Sequence, residues 1–197
     1  MGIESICYRS RVTDRRTSKR WLLVISTLCS IWLAGCASTG VSPAPVCAGE
    51  PAVVILVRHA EKASPPFEGE PSDPPLNAEG RVRAETLAAL LADAGLDHIH
   101  SSDYRRTRET AMPLARKLGL TVERYDAGNL EELASRLKRE GGRHLVVGHS
   151  NTTPRLAGLL GGDPGEPIEE SLEFDRLYVL TLDSCGAVMT IMLRYGD

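Results

Sequence analysis

Unbroken apolar runs alternate along this chain with segments of helical period. Ala52-Val53-Val54-Ile55-Leu56-Val57 contains no polar residue, which suits a strand buried on both faces. Asn77 is placed to cap a helix over 78–94, with Leu87, Leu90 and Leu91 at helical spacing and Gly95 as its stop. A short strand follows at 97–101. A helix is predicted over 103–118, where Pro113 predicts a kink or break. Residues 120–125 alternate as a strand, 129–139 form an amphipathic helix, and His144-Leu145-Val146-Val147 is another buried strand. Pro154 suits the first turn of a helix over 153–160 that ends at Gly161-Gly162. Residues 174–182 and 187–195 read as an antiparallel hairpin about Asp183-Ser184-Cys185-Gly186. Strict alternation of strand and helix before that hairpin predicts an α/β fold: a three-layer α/β/α sandwich with a mainly parallel sheet.

Between the first strand and the first helix, residues 62–75 hold five prolines and little that is apolar. Loops of this length are uncommon without a function, and this one is a candidate substrate lid.

The first 35 residues follow a different rule. A basic stretch ending at Arg20 precedes WLLVISTLCSIWLAG and then Cys36. Fifteen mostly apolar residues are short for a bilayer span, which takes roughly 20, and the order of basic, apolar and small residues is that of an export signal. Leu33-Ala34-Gly35-Cys36 resembles the lipobox of bacterial lipoproteins, which implies lipidation of Cys36. An uncleaved anchor is the other reading, and both place the domain outside the cytoplasm. Ala37 after the cysteine favours, by analogy, the outer membrane, so the expected site is its periplasmic face or the cell surface. The organisation is then a lipoprotein signal peptide at 1–35, a lipidated flexible tether at 36–50 and a folded domain at 51–197. Two cysteines fall outside signal and lipid site, Cys47 and Cys185. They either pair in an oxidising compartment or stay as thiols. No metal-site spacing such as C-x-x-C occurs.

Charge narrows the function. The chain carries −3 overall, but residues 1–35 contribute +4, leaving the remainder at −7. So acidic a domain lacks the footprint of a nucleic-acid binder, and any anion it holds must meet a local cluster of cations. Arg58-His59 and Gly148-His149-Ser150 both stand at the carboxyl ends of predicted strands, where open α/β sheets bind ligands. Ser102 to Arg108 lies at the end of another strand and opens a helix, whose free N–H groups suit phosphate. Taken alone, His59 reads more readily as a packing or surface histidine. His98, His100 and His144 read as structural or exposed, Arg105 and Arg108 as solvent-facing. Arg105 substitutes for Arg106 if the helix register slips by one. Ser150, Asn151 and Thr152 read first as caps of the next helix.

Four segments together resemble the histidine phosphatase (phosphoglycerate-mutase-like) superfamily. Val57-Arg58-His59-Ala60-Glu61 is similar to its RHG signature, and Pro75-Leu76-Asn77-x-x-Gly80 to its PL[TS]xxG segment. Ser102-x-x-x-Arg106-x-x-x-Thr110-Ala111 is similar to its SxxxRAxQTA helix, and Val147-Gly148-His149-Ser150 to its second-histidine motif. Ala60, Arg83 and Thr107 depart from the pattern. The resemblance implies that His59 attacks phosphorus and becomes a phosphohistidine while Arg58, Arg106 and His149 hold the phosphoryl oxygens. It also implies a carboxylate that protonates the leaving group, for which Asp126 is the first candidate and Glu61 the second. No metal or organic cofactor is called for. The function expected is hydrolysis of small-molecule or macromolecular phosphate monoesters, with a phosphomutase or a non-catalytic phosphate-binding lipoprotein as alternatives. The sequence identifies neither the substrate nor the oligomeric state.

Overall fold

The computed structural model describes residues 49–196. The expectations for the signal segment, for lipidation of Cys36 and for most of the tether, with Cys47, lie outside the described residues. Ten elements follow in order: β1 (Ala52–Arg58), α1 (Ala78–Leu90), β2 (His98–Ser102), α2 (Arg105–Leu118), β3 (Val122–Tyr125), α3 (Leu130–Glu140), β4 (Gly142–Gly148), α4 (Thr152–Leu160), β5 (Arg176–Leu182) and β6 (Val188–Arg194). They build one six-stranded sheet in the order β3-β2-β4-β1-β5-β6. β1, β2, β3 and β4 are mutually parallel, and β5 and β6 add an antiparallel hairpin beside β1.

The unbroken apolar run of β1 has a simple cause, since both of its faces are covered. Val54 and Leu56 join Leu130, Leu133 and Leu137 of α3 and Leu156 and Leu160 of α4 in one cluster. Ile55 and Val57 join Leu87 of α1 and Ala111 and Leu114 of α2 in the other. Each fully buried leucine contributes about 1.5–3 kcal/mol, so the two clusters fix which face each helix pair occupies.

Some boundaries differ from the pattern. α1 stops at Leu90, four residues early. Leu87 and Leu91 share the buried stripe with Ala84 and Ala88, whereas Leu90 is exposed. α2 runs through Pro113 without interruption. The carbonyl of Glu109 forgoes its donor there, but Glu109 and Pro113 are both only half-buried, so water can replace the lost bond. Cys185 is disulfide-bonded, and Gly49 N donates to Ser184 O at 3.0 Å, so the described chain enters beside the hairpin turn.

Three histidines stack in the lower half of the sheet: His98 on His144 at 5.0 Å between ring centroids and His100 on His144 at 5.3 Å. His100 and His144 are fully buried, and their protons are fixed by what surrounds them. Arg136 Nη2 can only donate, and it lies 2.8 Å from His100 Nδ1. His100 Nε2 therefore carries the proton and donates to His144 Nδ1 at 3.1 Å. His144 Nε2 in turn donates to Gly141 O. Both rings are neutral, and burial, the largest influence, pushes His100 down to about 3 and lowers His144.

This arrangement predicts a pH dependence of stability. His100 takes up a proton near 6.5 when unfolded but only near 3 when folded. The unfolded state thus binds more protons in between, and stability falls as pH falls below 6.5. Urea unfolding in steps from pH 7 to 5, a window above ordinary carboxylate titration, should give a free energy that decreases steadily. A flat profile would refute the neutral ladder.

Candidate active site

Three strand ends converge on one cavity. β1 and β4 are paired to their last residues, Arg58 opposite Gly148, and His59 N extends the ladder by donating to Gly148 O at 2.9 Å. His59 and His149 therefore leave adjacent strands side by side, their ring centroids 5.4 Å apart and edge to face. Gly148 is required between them, because a Cβ there would come within 2.8 Å of Thr152 Oγ1 and 3.0 Å of Tyr125 Oη. A cavity of about 540 Å³ opens at this point, lined by His59, Lys62, Tyr104, Arg106, His149 and Glu170 with the 127–128 and 150–152 segments.

His59 is nearly fully buried. Its Nδ1 lies 2.8 Å from Ala60 O, an acceptor, so Nδ1 carries the proton and Nε2 keeps its lone pair. Burial first, then Arg58 and Arg106, push its pKa down to about 3. The ring is thus held neutral, with a free lone pair, well below ordinary histidine titration. His149 is likewise pushed down to about 4, by burial and then by Arg106 and Arg58.

The residues of α2 divide the labour of holding these rings. Ser102 Oγ donates to Thr107 Oγ1 at 3.0 Å and so receives His149 Nε2 at 2.9 Å. Thr110 Oγ1 accepts from Ala60 N at 3.0 Å and donates to Arg106 O at 2.8 Å. The serine and threonine of the helix motif are therefore positioning groups, one for each histidine. Arg106 lies between them, its guanidinium 4.5 Å over the Tyr104 ring and Nη1 3.8 Å from Asp73 Oδ1. The P-L-N-x-x-G segment is structural in the same sense. Asn77 N donates to Glu61 O, Asn77 Oδ1 caps Gly80 N, and a Cβ on Gly80 would fall 2.2 Å from Glu61 O.

Arg58 is placed differently from a cavity-lining residue. It is 1% exposed. Its Nη1 donates to Glu173 O at 2.9 Å and Glu169 O at 3.4 Å, and Nη2 to Glu170 O at 2.7 Å. Phe174 covers one face of the guanidinium at 4.1 Å. Its Nε is buried without a partner, as is Arg106 Nε. An unsatisfied buried donor costs about 1–3 kcal/mol, more when charged. Two such donors near the His59 ring would be satisfied by an anionic oxygen.

Neither carboxylate selected from the sequence lines this cavity. Asp126 is exposed, and its Oδ1 accepts from Gly128 N at 2.8 Å in a local turn. It borders a neighbouring cleft with Arg124 and Arg136. Glu61 is buried and paired with Arg83 Nε at 2.7 Å, lining the adjacent cavity behind Lys62. Arg105 points away as well, to Glu109 and Glu68 O, whereas Arg106 faces the site. Of the 62–75 loop, only Lys62 lines the cavity; its base closes through Lys62 and Leu76 and Asp73 caps Arg105 N. Asn151 makes no side-chain cap; the Thr152 hydroxyl accepts from His149 N instead. Lys62, Tyr104 and Glu170 are the site residues that pattern reasoning passed over. Tyr104 stood inside a quoted motif, but no spacing pointed to the other two.

Comparison with known proteins agrees with this geometry. Residues 54–134 match the family model described as the histidine phosphatase superfamily (branch 1). The chain is 42% identical over 72 residues to the probable phosphoglycerate mutase GpmB of Yersinia enterocolitica and 40% identical over 72 residues to that of Escherichia coli. Those matches cover 35% of this chain and 33% of each relative, so the chain spans about a third of the length of these relatives. Among solved structures, a candidate phosphohistidine phosphatase, SixA, of Agrobacterium tumefaciens is 25% identical with a TM-score of 0.58, covering 74% of this chain and 99% of that one. The phosphoglycerate mutase of Bacillus anthracis shares the fold, with a TM-score of 0.59 at 15% identity, covering 75% and 94%. Motif order, strand-end geometry and these matches agree on one family, the histidine phosphatase superfamily, whose model residues 54–134 of this chain match.

Proposed function

We propose that this domain is a phosphomonoesterase that works through a phosphohistidine on His59. The observation that carries the reading is the neutral His59 ring, with its Nε2 lone pair free, beside two buried guanidinium N–H groups that lack partners. In the first step Nε2 attacks phosphorus, the bond from phosphorus to the ester oxygen breaks, and the leaving oxygen takes a proton. In the second, water attacks the phosphohistidine and releases phosphate. Arg106 and Arg58 Nε oppose the charge spread over the transferring group, which is the main task in phosphoryl transfer.

A mutase must keep water from its phosphoenzyme. This cavity is walled by Lys62, Arg106, Glu170, Ser150 and Asn151 and opens to solvent, which favours hydrolysis. The relatives named as mutases leave transfer as the second reading. Export as a lipoprotein anchored through Cys36 also stands as our proposal, supported by the order of basic, apolar and lipobox residues.

Three outcomes are expected. The purified protein in EDTA should release phosphate from an aryl phosphate; His59→Ala should abolish this, and Arg106→Ala should reduce turnover about 10²–10³-fold. Background release from the native protein would sink the phosphatase reading, and transfer without net release would support the mutase. Because His59 titrates at about 3, kcat/KM corrected for substrate ionisation should show no acid-side loss near pH 6.5. An acid limb at that pH would mean an ordinary, protonated histidine. Finally, Cys36→Ser should shift the protein from the membrane to the soluble fraction of its host and abolish labelling by radioactive palmitate.

A further inference from the structure

Resting on the phosphatase reading, we infer that Glu170 is the proton donor to the leaving group, and the base that later takes a proton from the attacking water. Among the described residues, Glu170 is the carboxylate that lines the His59 cavity. The other acids nearby are committed elsewhere: Asp73 to Arg105 N and Arg106, Glu61 to Arg83, Asp126 to Gly128 N. The Glu170 side chain is 71% exposed, and its one ion pair is a loose contact of 4.0 Å with Lys62 Nζ. It is therefore free to turn toward an ester oxygen.

What places it there is its backbone. Arg58 Nη2 donates to Glu170 O at 2.7 Å, and Arg58 Nη1 donates to the carbonyls on either side, Glu169 O and Glu173 O. The residue immediately before the nucleophile thus pins the turn that carries the carboxylate. Phe174 continues the link, stacked on Arg58 at 4.1 Å and 6.1 Å from the His59 ring. Glu170 also offsets part of the effect that burial has on Arg58 and Arg106, so its charge reaches both cations of the site.

The chemistry balances within the site. As His59 Nε2 forms its bond to phosphorus, the electron pair of the breaking P–O bond stays on the ester oxygen, which takes the proton of the Glu170 carboxylic acid. The resulting carboxylate then accepts a proton from water as that water's oxygen attacks phosphorus and the P–N bond breaks. Phosphate leaves, and Glu170 is protonated again.

The test reads leaving-group dependence. The full chain and Glu170→Gln are compared by kcat/KM, which reports the step that expels the leaving group, on phosphate esters from p-nitrophenol through phenol to simple alcohols. Gln keeps the size and the backbone carbonyl that Arg58 binds. The expected result is a steepened dependence: alkyl phosphates lose about 10²-fold or more, and p-nitrophenyl phosphate, whose leaving group needs no proton, at least tenfold less than that. An equal loss across the series would assign Glu170 a purely electrostatic or structural role and overturn the proposal. No loss for any ester would also overturn it. Absence of release from every ester by the native chain would sink the phosphatase reading together with this one, an outcome set apart by its appearance before any substitution is made.

Discussion

A guanidinium taken out of water must find its hydrogen bonds in the protein, and the buried side chain of Arg58 meets this demand with three backbone carbonyls from one turn. Much of the site follows from that requirement. The turn over 169–173 is held against the end of β1, its Phe174 covers the cation, and the same burial encloses the neighbouring His59 ring. Burial first, and then the nearby Arg58 and Arg106, make a positive charge on His59 costly, so the imidazole stays neutral. The cation therefore acts on His59 through the field it imposes and on the cavity through the loop it fastens. Its Nε, buried without a partner, is a donor that a ligand would satisfy.

Legibility in the sequence tracked how local the cause was. The sheet was readable because β1 and β4 are apolar without interruption, a pattern that only burial on both faces requires. The pairing of His59 with His149 was readable because both follow strands directly, and strand ends share one side of a parallel sheet. Leu90 misled because three leucines at helical spacing do not show where the buried stripe ends. The surroundings of Asp126 were hidden for a similar reason: a strand end places a residue near the site, but in the structure the N–H of Gly128, two residues on, holds its carboxylate in a local turn. Glu170 was unreadable. It sits in a segment of no period, and its place is set by a side chain 112 residues away.

The departures from the family pattern compensate one another. Arg83, where glutamine is common, pairs with Glu61 and donates to Tyr195 O, so the charge after the first motif is neutralised by the charge on α1. Ala60, in place of glycine, is fully buried against Leu76 and Ala84, a pocket that fits one methyl group. Thr107, in place of alanine, accepts from Ser102 and donates to main-chain carbonyls, lengthening the relay that orients His149. Each replacement brings a partner of its own and leaves the groups facing the cavity in place.

The strand order has a bearing on how the molecule comes into being. β1 lies between β4 and β5, with Val57 registered against Val147 and Leu177, so the central strand waits on segments made much later in the chain. Contacts this distant are closed late and slowly, because the intervening chain must be ordered first. Up to that moment the two histidines belong to separate stretches of polymer, and Arg58 has no turn to hold. The paired histidines and their buried cations are therefore a property that only the finished fold possesses, and a nascent chain lacking β4 and β5 carries His59 without the neighbours that keep its ring neutral.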